Sequence, residues 1–371
     1  MLFIALNDLG DLYFNGELAP KHMGKAYEYF LKASQNGSGY GSYSCGFILM
    51  KGSSDIPRDI EKGLSMFRLA VDQNYKAATR DLARYYYSLE TEEDNRKALD
   101  YYLQYIEYNP KDTDTLLHIG LIYESGLGVP LNIDLARRYY ERAAEQDETG
   151  MAYNFLGGTY MNDEETESNE RKAVHYFQKA IELGNTNAMF RISYYLHNGK
   201  GGLQVDIPRE IELLTEASKR GNHQATYRLG LLFEDNESGM AQNLELSVKY
   251  FQLAADNGIL AAINKMGELY LFGEVIPANL TKAISCFTAA SEQGYGKASY
   301  WLGRLHTDGI GQLEKDTQKA MNYYRKAIEQ GYEEAREWME QLQKNLVDET
   351  ITDIEIPQDK SDEELYKDAK N

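Results

Sequence analysis

The chain has 371 residues, 39 basic and 58 acidic, for a formal net charge of −19. So large an acidic excess argues against nucleic acid or an anionic membrane surface as the main partner, since both reward clustered Lys and Arg. No apolar run approaches the roughly 18 residues that span a bilayer, so membrane insertion is not expected.

The opening stretch from Met1 to Phe14 is interrupted by Asn7, Asp8 and Asp11 and has no basic leader region. It reads as a first helix rather than a signal peptide, which makes a cytoplasmic location the expectation and leaves open a leader upstream of Met1. From there a small residue recurs at Gly10, Gly46, Ala83, Gly120, Gly157, Ser193, Gly230, Gly267 and Gly303, in steps of 36 or 37 residues. Each predicts a helix whose neighbour approaches too closely for a bulky side chain. Between consecutive small residues lies an apolar pair: Tyr29-Phe30, Met66-Phe67, Tyr101-Tyr102, Tyr139-Tyr140, Tyr176-Phe177, Leu213-Leu214, Tyr250-Phe251 and Cys286-Phe287, with Tyr323-Tyr324 after the last. These predict the buried face of a second helix. That helix closes at Gly37, Asn74, Asn109, Asp147, Gly184, Gly221, Gly258, Gly294 and Gly331, all residues that tolerate a left-handed backbone.

Two repeats depart from the pattern in their turns. Glu90, Glu92, Glu93 and Asp94 in repeat three, and Asp163, Glu164, Glu165 and Glu167 in repeat five, read as solvated acidic loops. The GKGG at 199–202 reads as a turn, because a phosphate cradle needs a preceding strand. After Gly331, Ala335, Trp338, Met339, Leu342 and Leu346 share one face and predict a capping helix over 333–346. Residues 347–371 are acidic and poor in groups to bury, so a mobile tail is expected.

The motif Ala-x-Tyr-x-Leu-Gly-x-Leu-Tyr-x-x-Gly-x-Gly, followed by Lys-Ala-x-x-Tyr-Tyr-x-Lys-Ala-x-x-x-Gly, resembles the Sel-one-like repeat (SLR), a relative of the tetratricopeptide repeat. The stretch ASYWLGRLHTDGIGQLEKDTQKAMNYYRKAIEQG at 298–331 carries it most fully. The resemblance implies an all-α fold, an α/α solenoid forming a right-handed superhelix of nine helix-turn-helix repeats over 1–332 with a C-terminal capping helix. It also implies a protein-protein interaction scaffold or adaptor, TPR-like, whose first helices line a concave groove that holds a partner segment. It names no partner.

Nothing in the sequence assembles a catalytic constellation. His22, His118, His175, His197, His223 and His306 fall in repeats or positions without metal-ligand spacing, and Cys45 and Cys286 read as free thiols at core positions. His306 stands where other first helices carry a core Tyr and reads as a packed histidine. No nucleophile elbow or dinucleotide fingerprint is present. The expectation is therefore no enzyme, no catalytic residue, no metal and no cofactor.

A binding face follows from helical register. With the small residue as zero, positions −5, −1, +2 and +3 cluster on the core side and −3, −2, +1 and +4 oppose them. In the later repeats those outward positions hold Phe190, Arg191, Tyr194, Tyr227, Arg228, Leu231, Lys265, Tyr300, Trp301 and Arg304. Aromatic and basic residues recurring on one face of an acidic chain suggest a hot-spot strip for a protein or peptide partner that carries acidic residues. An earlier apolar patch, Leu117, Leu121, Phe155 and Met161, is a second candidate. The alternative function is a structural, regulatory or immunity-type subunit that binds through its convex face or its ends.

Overall fold

A computed structural model of the chain describes residues 2–16, 20–235, 242–310 and 313–353, with side chains described to 345. Among the described residues there are nineteen helices and no strand. In chain order they are α1 (Leu2–Asn15), α2 (Met23–Gln35), α3 (Gly39–Lys51), α4 (Ile60–Asp72), α5 (Ala77–Tyr87), α6 (Glu92–Tyr108), α7 (Thr113–Ser125), α8 (Ile133–Ala144), α9 (Met151–Met161) and α10 (Glu167–Glu182). There follow α11 (Thr186–Asn198), α12 (Ile207–Lys219), α13 (His223–Glu234), α14 (Leu244–Asp256), α15 (Leu260–Phe272), α16 (Leu280–Glu292), α17 (Gly296–Asp308), α18 (Thr317–Glu329) and α19 (Ala335–Asp353). Odd-numbered helices up to α17 are the first helices of the nine repeats, and even-numbered ones are the second. This is an α/α solenoid fold. The chain groups into two compact units, Met1–Val205 and Asp206–Asn371. The division falls in the glycine-rich turn that follows α11, at a place the 36- or 37-residue period does not mark.

Helix starts are set by short polar side chains. Asp59, Asn132, Asn243 and Asp316 each accept a hydrogen bond from a backbone amide of the first turn of α4, α8, α14 and α18, satisfying a donor that the helix itself leaves unpaired. Where the small residue of a first helix is Gly, in seven repeats, it is explained by the second ring of the apolar pair. A Cβ at Gly230 would lie 2.5 Å from the Phe251 ring, and one at Gly267 2.6 Å from Phe287. Gly10, Gly46, Gly120, Gly157 and Gly303 stand in the same relation to Phe30, Phe67, Tyr140, Phe177 and Tyr324.

The first ring of the pair has a different role. In six repeats it stacks on the ring three residues after the small residue: Tyr13 on Tyr29, Tyr86 on Tyr101, Tyr123 on Tyr139, Tyr160 on Tyr176, Phe233 on Tyr250 and His306 on Tyr323. Centroids are between 5.6 and 6.0 Å apart and planes within 4° to 9°, so each pair of helices is joined by an offset stack. His306 is thus a packed ring, and burial, reinforced by Lys319, pushes its pKa down.

Several expectations require correction. Of the three non-glycine closing residues, only Asn74 is left-handed, with φ 69°. Asn109 has φ −126°, because Pro110 behind it disfavours helical geometry and α6 simply stops there. Asp147 caps the next helix instead: its carboxylate accepts from the Thr149 amide and hydroxyl at 2.8 and 2.7 Å and from the Ala152 amide at 2.7 Å. The acidic run of repeat three is a loop only at Glu90, where φ is 56°. Glu92, Glu93 and Asp94 form the first turn of α6 behind the Thr91 cap, where carboxylates meet the positive end of the helix dipole. Glu167 likewise opens α10 behind Thr166. The last helix begins at Ala335, two residues later than expected, and runs past Leu346 to Asp353. The remainder of the acidic tail, 354–371, lies outside the described residues.

Candidate functional site

The outward register positions can be placed one unit at a time. In the first unit, α11 carries Phe190, Arg191 and Tyr194. Phe190 and Arg191 are partly buried, and the guanidinium lies over the Phe177 ring at 6.0 Å with Nη1 3.5 Å from the Asn154 carbonyl oxygen. Tyr194 is 42% exposed. Of the earlier patch, Leu117 is buried in the core and Leu121 is partly buried on α7, while Phe155 stacks on Tyr140 at 5.3 Å. Met161, 37% exposed, ends α9.

The structure joins one member of each candidate set. Met161 and Tyr194 line a recess of about 320 Å³ together with Tyr160, Asp163, Glu164, Glu165, Glu170 and Tyr195. Three of its four carboxylates are already engaged: Asp163 holds Arg137 at 2.7 Å, which keeps its carboxyl below the usual range, and Lys200 is ion-paired with both Glu165 and Glu170. Lys200 is the lysine of the GKGG turn, and Gly201 donates its amide to Glu170 at 3.2 Å. The turn therefore serves the acidic recess.

In the second unit, Tyr227 and Arg228 lie on α13, Lys265 on α15, and Tyr300, Trp301 and Arg304 on α17. Burial pushes the Tyr227 phenol up to about 12. Tyr300 is only 9% exposed and packs among Tyr324, Tyr332 and Trp338, and Leu231 is partly buried. Each of the three strip cations there has a partner within the chain. Arg228 meets Glu210, a carboxylate with no exposure, at 3.1 Å. Lys265 meets Glu234 at 2.8 Å, and Arg304 meets Asp308 at 3.3 Å and the Trp338 ring at 3.8 Å. Glu268 gathers Lys297 at 2.7 Å, the Trp301 indole N–H at 2.9 Å and the Asn264 amide at 2.9 Å.

Sequence reasoning picked out the cations and missed the carboxylates that hold them. The pairs Lys265/Glu268 and Arg304/Asp308 sit at i,i+3 and i,i+4 and were available from spacing alone. Also missed was a cleft of about 230 Å³ between α1 and α3, lined by Asp11, Phe14, Phe30, Tyr40, Tyr43, Ser44 and Phe47. Five of these seven occupy outward positions, and Phe47 is 42% exposed. The Tyr40 hydroxyl donates to Asp11 at 2.7 Å and is pushed up to about 12 by burial and that carboxylate. Among the described residues no group of His, Cys, Asp and Glu is placed to hold a metal ion, and no helix is long and apolar enough to cross a membrane.

Known proteins share this architecture. The profile of the Sel1 repeat matches residues 4–38, 40–75, 76–104, 115–148, 150–185, 186–222, 223–259, 260–295 and 296–332. The Sel1-repeat-containing protein YjcO of Escherichia coli (strain K12) is 33% identical over 78 residues, which is 20% of this chain and 34% of that protein. Protein sel-1 homolog 2 of Rattus norvegicus is 40% identical over 70 residues, 19% of this chain and 10% of that protein. The matches thus span about a third and about a tenth of those relatives. Among solved structures, a Sel1 repeat protein from Oxalobacter formigenes aligns at TM-score 0.65 and 24% identity, over 85% of this chain and 90% of its own. The protective antigen c5321, present in uropathogenic Escherichia coli strains and displaying an SLR fold, aligns at TM-score 0.55 and 21% identity, over 92% of this chain and 80% of its own. At such identities the likeness is one of fold.

Proposed function

The chain belongs to the Sel1-repeat family, and on that premise we propose that it is a non-enzymatic scaffold that binds a segment of a partner protein along the outward side of its first helices. Proteins built from Sel1 repeats generally serve protein-protein interaction, and the fold offers rows of equivalent side chains for it. The observation that carries the reading is the aromatic cleft between α1 and α3, where outward positions of two consecutive first helices form an open recess around Phe14, Tyr43 and Phe47. Exposed aromatic rings in a recess are what peptide-binding hot spots are made of. Tyr194 extends the same register in the first unit. Phe190, Arg191, Tyr227, Arg228, Leu231, Lys265, Tyr300, Trp301 and Arg304 remain part of the proposed face.

An acidic partner draws less support than a partner that presents apolar or aromatic groups. Arg228, Lys265 and Arg304 already hold carboxylates, so an incoming acid would have to displace them. Their role in the proposal is to fix the aromatic rings beside them. Reversing Arg228 to Glu is consequently a poor probe of binding, since it would set a carboxylate against the fully buried Glu210. The better experiment is affinity capture from source-cell extract with the parent chain and with a Phe47→Ala, Tyr194→Ala double variant that melts like the parent. A partner captured by the parent and lost from the variant supports the reading. The same partners captured equally by both would refute it.

A further inference from the structure

One repeat breaks the stacking rule, and it does so by halves. In repeats two and six both stacking positions are aliphatic, Leu49 with Met66 and Leu196 with Leu213, so the inter-helix contact stays matched in kind. Repeat eight keeps the ring of its first helix, Tyr270, but places Cys286 where the partner ring belongs. It also keeps the lysine that accompanies the stack elsewhere. Lys25, Lys97 and Lys172 lie over Tyr13, Tyr86 and Tyr160 at 5.1, 5.6 and 5.0 Å, and Lys282 lies over Tyr270 at 5.1 Å. A stack with its lysine and one ring in place lacks only the second ring.

The space is open. A cleft of about 330 Å³ is bounded by Tyr270 and Cys286, with Met266 and Ile263 on its floor. It shares Gln252, Asp256, Met266, Tyr270 and Lys282 with a wider recess of about 620 Å³ that reaches the turn at Ile276 and Pro277. The cleft lies between the second helices α14 and α16, away from the face proposed above, and stands independently of that reading. Burial raises the Cys286 pKa, so the thiol is a neutral, weakly polar wall at neutral pH. The charges at the rim are uneven. Lys249 is held by Glu245 at 2.8 Å, and Asp256 accepts from Gln252 at 2.7 Å, whereas Lys282 has no ion pair among the described residues.

We propose that this cleft receives an aromatic side chain from a segment of a partner protein, its ring completing the stack on Tyr270, with an acidic residue beside it meeting Lys282. Shape selects the ring, because parallel offset stacking on a tyrosine face is the geometry the other six repeats already use. Charge selects the neighbour, because Lys282 is the cation at the rim left without a carboxylate.

The test uses the full chain carrying ¹³C-methyl methionine and follows the Met266 methyl, which borders both recesses, during titration with three peptides: acetyl-Glu-Tyr-Glu-amide, acetyl-Glu-Ala-Glu-amide and acetyl-Lys-Tyr-Lys-amide. The first is expected to shift the Met266 methyl by ring current and to saturate, the second to leave it in place, and the third to bind at least about threefold more weakly. Cys286→Tyr supplies the missing ring from within, and is expected to melt at or above the parent and to abolish the shift. Tyr270→Leu removes the platform and is expected to weaken the first peptide about tenfold. No Met266 shift at millimolar peptide overturns the proposal, as does an affinity unchanged in Tyr270→Leu. Should Cys286→Tyr fail to fold, Tyr270→Leu decides alone.

Discussion

At the scale of single residues the chain is governed by what touches the small position of each first helix. Gly267→Leu must push a side chain into the Phe287 ring, and Gly230→Leu into Phe251, so each is expected to destabilise by about 1 to 3 kcal/mol or more. Thermal melts of both variants check this, with the exposed Glu216→Ala as a control expected to fall within about 0.5 kcal/mol of the parent. His306 gives a pH-dependent counterpart. Its folded pKa lies below the ordinary value of 6.5 because burial and Lys319 disfavour the imidazolium, against a smaller opposing pull from Asp316. Between the folded and unfolded values the unfolded chain binds more protons, so this contribution to stability is complete above about pH 6.5 and is lost as pH falls toward the folded value. His306→Tyr, which restores the ring of the other repeats, should lose less stability than the parent between pH 7.5 and pH 5. An equal loss in the two proteins would place the titrating group elsewhere. The small-residue constraint was legible in sequence because only Gly, Ala or Ser stands at that position in the nine repeats. The ion pairs around Arg228 and Glu268 were not, because a charged residue on a helix face satisfies many arrangements equally well.

At the scale of the element, helix boundaries show where local chemistry overrides the repeat. The period places a helix end at Asp147, yet the backbone there is not left-handed and the side chain, only 8% exposed, is spent on the amides ahead of it. Asp147→Ala removes a charged acceptor of three hydrogen bonds and is expected to cost about 2 kcal/mol, at the upper end for a cap. Hydrogen exchange should locate the loss in the first turn of α9, in the amide of Ala152 above all; a loss spread evenly over the chain would contradict the capping role. Sequence reasoning failed here for a definable reason: Asp and Asn suit both a left-handed helix end and a capping position, and only the following residues decide between them. The acidic runs misled in the same way. Charge alone reads Glu92, Glu93 and Asp94 as loop, although Thr91 before them is the cap that makes them a first turn.

At the scale of the molecule, nine repeats supply two kinds of surface, one made by first helices and one by second helices. The repeat was readable from end to end because every copy obeys the same backbone and packing demands. Where partners bind was not, since binding positions are those that packing leaves free; the α1–α3 cleft stands in register positions that the sequence identified but in two repeats that it did not single out. The central claim is that the first helices carry the partner. Its most direct measurement is site-specific photo-crosslinking in source-cell extract, with a photoreactive phenylalanine analogue placed in turn at Phe47, at Tyr194 and at Leu69, an exposed residue of the second helix α4. The account predicts one partner crosslinked from both Phe47 and Tyr194 and not from Leu69. A partner captured from Leu69 and from neither of the other two would contradict it.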